Sequence, residues 1–202
     1  MARPPPPDAM SLPSLRCTAF ADQLRIASGE LRHVALKAKQ AHDRGRQVRV
    51  FEDASGRSVE LPLALPEAEL LRWLAEPRGL RAGAVRAPRG PGRPRLGVVA
   101  REVTLLPQHW DWLAVQPGGA SVALRRLVEQ ARVAAAGERR GAAREATWRF
   151  LQAMARELPG CEAAGRALFA GDFCAFHEHI QRWPEDIREH AAVLAADAFT
   201  AS

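Results

Sequence analysis

The sequence predicts an α+β fold, and three observations predict it. Apolar residues alternate around Asp22-Gln23 and again about Ser55-Gly56, the pattern of half-buried strands joined by tight turns. Elsewhere apolar residues recur at three- and four-residue intervals, within 28–45, 107–136 and much of the chain after 142. Between these regions, residues 77–97 are too rich in Pro, Gly and Arg to propagate a helix or bury a face. The expected organisation is a disordered Pro-rich tail (1–14), a small α+β module (15–76), an Arg/Pro/Gly-rich linker (77–97), a central strand-helix-helix unit (98–136) and a helical C-terminal module (142–200).

Each element has its own reason. Within "CTAFADQLRIASG", Phe20, Leu24 and Ile26 supply an apolar face on two short runs about Asp22-Gln23, which predicts a hairpin or bent strand. "SGELRHVALKAKQAHDRG" follows with Ser28 as candidate cap, Leu31, Val34, Ala35 and Ala38 at helical spacing, and Gly45 as a stop. "QVRVFEDASGRSVELPL" places Val48 and Val50, then Val59 and Leu61, on either side of a Ser-Gly turn, a second hairpin. "PEAELLRWLAEP" then reads as a short helix with Pro66 near its first turn. Past the linker, "LGVVAREVTLLP" is strand-like, Pro107 opens a helix carrying Trp110 and Leu113, Pro117-Gly118-Gly119 ends it, and Ser121 caps the next. A break is expected between Gly137 and Gly141, and further breaks at Pro159-Gly160, Gly171 and Pro184 suit a short up-and-down bundle.

Composition narrows the function classes. At 202 residues and 47% hydrophobic, the chain can bury one good core or two small ones. Its formal charge of +6 is concentrated: residues 77–101 hold seven Arg and no acid, whereas 1–76 carry 11 basic against 10 acidic residues. A concentrated positive stretch suits a polyanionic partner; an even sprinkling is a solvated surface. Cys17, Cys161 and Cys174 make no even framework and no C-x-x-C pair, as expected of free thiols in a reducing compartment. The start "MARPPPPDAM" lacks an apolar signal core and no window approaches a membrane span, so a cytoplasmic protein without membrane association is expected.

Strand, helix, Gly-containing turn and helix over 98–136 resembles the ribbon-helix-helix unit of bacterial DNA-binding repressors. One strand and two helices cannot close a core alone; two copies do so by pairing their strands into an antiparallel ribbon. The resemblance implies a homodimer that lays this ribbon in the major groove of double-stranded DNA, with Arg101 and Thr104 approaching bases or backbone. It also implies a phosphate at the helix start from Gly119 to Ser121. Alternation puts Arg101, Val103 and Leu105 on one strand face and Glu102, Thr104 and Leu106 on the other, fewer polar groups than a base-reading ribbon usually offers. "RGPGRPRLG" resembles the Gly-Arg-Pro core of minor-groove hooks, with Pro91 where an Arg completes the usual core. Arg89, Arg93 and Arg95 would there add electrostatic contact.

Other constellations have blander readings. Cys174 and His177 share a helical face but His177 and His179 diverge, and Cys161 adds no standard zinc spacing, so neither metal nor cofactor is expected. No nucleophile elbow, phosphate loop, dinucleotide fingerprint or zinc-protease motif occurs, and no enzymatic activity is expected. Glu52-Asp53 suits a turn and Asp172 a cap, His109 suits a first-turn surface position, and the five Trp suit core or interface anchors.

Taken together, "CTAFADQLRIASGELRHVALKAK", "VRVFEDASGRSVEL", the block from Gly92 to Arg132 and "ALFAGDFCAFHEHIQRWPEDIREHA" are similar to the bacterial family known as domain of unknown function 2239. That resemblance covers nearly everything after the Pro-rich tail and implies no activity. The expectation is therefore a homodimeric transcriptional regulator that binds DNA through 98–136. The alternative is a non-enzymatic protein-interaction adaptor whose central unit only dimerises.

Overall fold

A computed structural model describes residues 15–75 and 101–200. The tail, the linker and Arg89, Arg93 and Arg95 lie outside the described residues. The elements in chain order are β1 (Arg16–Ala21), β2 (Leu24–Glu30), α1 (Leu31–Asp43), β3 (Val48–Glu52), α2 (Glu67–Ala75), α3 (Pro107–Ala114) and α4 (Gly119–Met154). They continue with α5 (Cys161–Ala170), α6 (Phe173–Ile180), α7 (Glu185–Ala195) and a closing 3-10 turn, Ala196–Phe199. The chain divides into two compact units, one of residues up to 85 with 139–201, the other of 86–138. The fold is α+β, as the sequence predicts.

In the first unit β1 is the middle strand of an antiparallel sheet ordered β2-β1-β3. It pairs from Arg16↔Glu30 to Ala21↔Leu24 on one side and from Cys17↔Glu52 to Ala21↔Val48 on the other. The predicted hairpin closes at Asp22, whose positive φ of 57° a short polar residue tolerates and whose N–H donates to the Gln47 carbonyl at 2.8 Å. Cys17, Thr18, Ala19, Phe20 and Ala21 are all buried, because both faces of this strand are covered. Cys17, Ala19 and Val50 pack with Val34 and Ala38 of α1. Phe20 and Phe51 join the larger core, which holds Phe150, Leu168, Phe176 and Ile187. Alternation along β1 thus sends small side chains to α1 and aromatic ones to the helical side.

Three local expectations fail for identifiable reasons. Ser28 does not cap α1: β1–β2 pairing runs on to Glu30, which is the N-cap, and the Ser28 hydroxyl lies 3.0 Å from that of Thr18 instead. The second hairpin is reduced to one isolated bridge, Phe51↔Ser58, so Val59 and Leu61 pack against the small core without forming a strand. Finally, α4 runs unbroken for 36 residues through Gly137 and Gly141. A helical glycine costs about 1 kcal/mol relative to Ala, and no Pro interrupts the Ala- and Arg-rich ladder on either side.

The remaining breaks fall where expected, at Gly160, Gly171 and Pro184. Asp172 accepts from the Ala175 N–H at 2.9 Å and so caps α6. Gly165 lets α5 lie against Trp148, since a Cβ there would stand 2.4 Å from the indole. Trp183 is a core anchor whose Nε1–H donates to the Pro159 carbonyl at 2.8 Å.

One core group is polar. His190 is 4% exposed, its ring centroid 4.7 Å from Phe150 and 5.4 Å from Phe20, and its Nε2 has no hydrogen-bond partner. Burial, helped by the Arg25 charge, pushes its pKa down to about 4. A depressed histidine pKa favours the neutral folded form, so its contribution is whole above the unfolded value near 6.5 and is lost as pH falls from there to about 4. Wild type should therefore lose on the order of 3 kcal/mol more than His190→Phe between pH 7 and pH 4 in urea melts. Equal losses in the two proteins would refute it.

Candidate functional site

The central unit contains the described DNA-contact candidates. Residues 101–106 belong to no strand and make no strand pairing among the described residues. The predicted strand is thus not formed over these residues: among the described residues no strand lies beside them to share a ladder. Pro107 occupies the first turn of α3, as expected. After Ala114 the chain turns through Gly118 and Gly119, both at positive φ (84° and 76°), and α4 begins at Gly119 rather than after Ser121. Ser121 is therefore a first-turn residue instead of a cap, and its carbonyl accepts from Arg125 Nε at 3.2 Å.

Arg101, Thr104 and Ser121 are exposed, and Gly119 is half-buried. The first turn of α4 carries no acid, leaving the helix dipole and its leading N–H groups unopposed by local negative charge. Arg125, Arg126 and Arg132 are also exposed on α4, with Arg132 held 2.7 Å from Glu129.

Little of this unit is buried. Leu113 and Ala123 are its only fully buried apolar residues among those described, while Val103, Leu106, Trp110, Trp112, Val115 and Val128 are exposed. Leu105, Leu113, Leu124 and Leu127 line an open cleft of about 260 Å³ together with Trp112 and His109. His109 thus borders an apolar cleft, a role its first-turn position does not disclose. These side chains leave an apolar surface open.

The first unit holds polar groups that the sequence pattern does not single out. Thr18, 2% exposed, donates its only hydroxyl proton to Asp53 at 2.8 Å, so Ser28 must be the donor in its 3.0 Å bond to Thr18. Burial raises the Asp53 pKa against the lowering pull of that Thr18 bond and of Arg16. Burial, then the charges of Asp53 and Glu52, push the neighbouring Cys17 thiol up to about 12. Cys17 is therefore a protonated core thiol without nucleophilic character. Thirty-five residues separate Thr18 from Asp53, so no local motif reveals the pair.

The other candidates are dispersed. Cys161 is buried with its pKa raised by burial, Cys174 is exposed, and His177 stacks on Phe173 with centroids 5.8 Å apart. Among the described residues no group of three or more His, Cys, Asp or Glu could hold a metal ion. Among them too, no helix is long and apolar enough to cross a membrane.

Comparison with known proteins matches the chain to a family described as an uncharacterized protein conserved in bacteria, DUF2239, over residues 16–195. No curated protein and no solved structure matches. The match spans both units and most of the sequence, and on that ground the chain belongs to the DUF2239 family of conserved bacterial proteins.

Proposed function

We propose that the protein is a cytoplasmic, homodimeric DNA-binding protein, a transcriptional regulator working through residues 98–136. The observation that carries this reading is the largely exposed segment 101–106, which joins no strand among the described residues, beside an open apolar cleft. Antiparallel pairing of two such segments would satisfy their N–H and C=O groups and cover the cleft around Leu105, Leu113 and Leu127. The ribbon would present Arg101 and Thr104 to DNA, the Gly119–Ser121 helix start would take a phosphate, and Arg89, Arg93 and Arg95 would add salt-sensitive contact.

The test is a band-shift titration at two salt concentrations. Binding should weaken steeply with salt, and Arg101→Ala should lower the salt slope by about one if it removes a phosphate contact. No binding at low salt would remove the reading.

One observation favours an adaptor that only dimerises. Over 101–138 the charges balance, with Arg101, Arg125, Arg126 and Arg132 against Glu102, Asp111, Glu129 and Glu138. That reading expects a dimer by sedimentation with no band shift at any salt concentration.

A further inference from the structure

The first unit contains a second, polar cleft of about 900 Å³. Its walls come from the turn after β1, the start of β3, the turn that follows α4 and the start of α7. These segments bring three guanidinium groups, Arg46, Arg49 and Arg156, to one cavity, and four carboxylates, Asp22, Glu157, Glu185 and Asp186.

Part of this charge is already committed. Arg46 Nε lies 3.1 Å from Asp22, and Arg49 donates to the Ala153 carbonyl at the end of α4. Asp186 accepts the Arg25 backbone N–H at 2.8 Å, and Glu185 stands 4.0 Å from Arg188. Arg156 and Glu157, adjacent in the turn after α4, make no hydrogen bond or ion pair among the described residues. The side-chain amides of Gln23, Gln47 and Gln152 in the same walls are likewise uncommitted. One cation, one anion and three amides therefore remain for a ligand.

That inventory selects a chemical class. A polyanion such as a nucleotide would meet four carboxylates and, among the described residues, find no aromatic ring in the lining on which to stack its base. A polyamine would meet three guanidinium groups. A zwitterion satisfies both signs: its carboxylate can take the planar fork of Arg156, and its ammonium the carboxylate of Glu157. Leu24, Met154, Leu158 and Pro184 supply apolar contact for an aliphatic portion.

We infer that this cleft binds a free amino acid or dipeptide, held at its charged ends by Arg156 and Glu157. Arg101, Thr104, Gly119 and Ser121, the described residues assigned to DNA contact, do not line this cleft, so this inference stands or falls independently of DNA binding at those residues.

The test titrates the full-length protein with each common free L-amino acid and with dialanine, following melting temperature and then affinity by calorimetry. Succinate and putrescine serve as single-sign controls. At least one zwitterion should raise the melting temperature while both controls fail to do so. Arg156→Gln and Glu157→Gln, both at exposed positions, should each weaken that binding about tenfold, the worth of one charge-assisted bond. Their unliganded melting temperatures should match wild type. Protection by no zwitterion, equal protection by either control, or wild-type affinity in either variant would overturn the assignment.

Discussion

Phe150→Ala is expected to lower the free energy of unfolding by about 3–5 kcal/mol, the range for truncating a fully buried aromatic residue. Phe150 is 0% exposed and lies where the sheet and the helices share a core, its centroid 5.2 Å from Phe51 and 5.6 Å from Phe20. Truncation removes three ring contacts together, since His190 packs on the same ring at 4.7 Å. The void would open beside an unpartnered imidazole nitrogen, and water entering it should bring the His190 pKa back toward 6.5. Urea melts measure the first effect, and imidazole titration by NMR the second. A loss below 1 kcal/mol would mean that the sheet and helices do not share this core.

Gly56→Ala is expected to cost about 2–5 kcal/mol, combining left-handed strain with overpacking. Gly56 has φ 64°, and a Cβ there would stand 2.0 Å from the Ala146 carbonyl oxygen and 2.7 Å from its carbon. Backbone cannot step aside as a side chain can. The turn is also tied to α4 by the Arg149 guanidinium, which donates to the Ser55 carbonyl at 2.9 Å. Gly45 supplies the control: its φ is 76°, but a Cβ there would meet nothing within 4 Å. Gly45→Ala should therefore cost only the strain, about 1–2 kcal/mol. Equal losses in the two variants would show that the close approach to Ala146 contributes nothing.

Periodicity made the first unit's elements legible. Val34, Ala35 and Ala38 mark the buried face of α1, and alternation through Phe20 and Val50 marks the strands. Where a local signal competed with pairing or with a long ladder, reading residues singly misled. Ser28 looks like a cap until β2 claims it, and Gly137 and Gly141 look like stops until a 36-residue helix carries them. Val103 and Leu105 alternate as a strand does, but alternation names a face and not a partner. The Thr18–Asp53 bond, the His190 pocket and the polar cleft were not legible, because each is assembled from segments far apart in sequence. The Trp residues divided by packing: Trp183 is buried, while Trp110 and Trp112 remain exposed in the central unit.

The unbroken α4 has an energetic corollary. From Arg125 to Ala135 every residue is exposed, and Gly137 and Gly141 have no atoms packed against them. From Arg125 to Ala135 this stretch of helix is held by its own hydrogen-bond ladder and the Arg132–Glu129 ion pair, with little tertiary burial beside it. Its amide protons should exchange through local opening well before those of Phe150 and Leu151 at the buried end of the same helix. Continuous in geometry, α4 should thus open in two steps, its exposed stretch before its buried end.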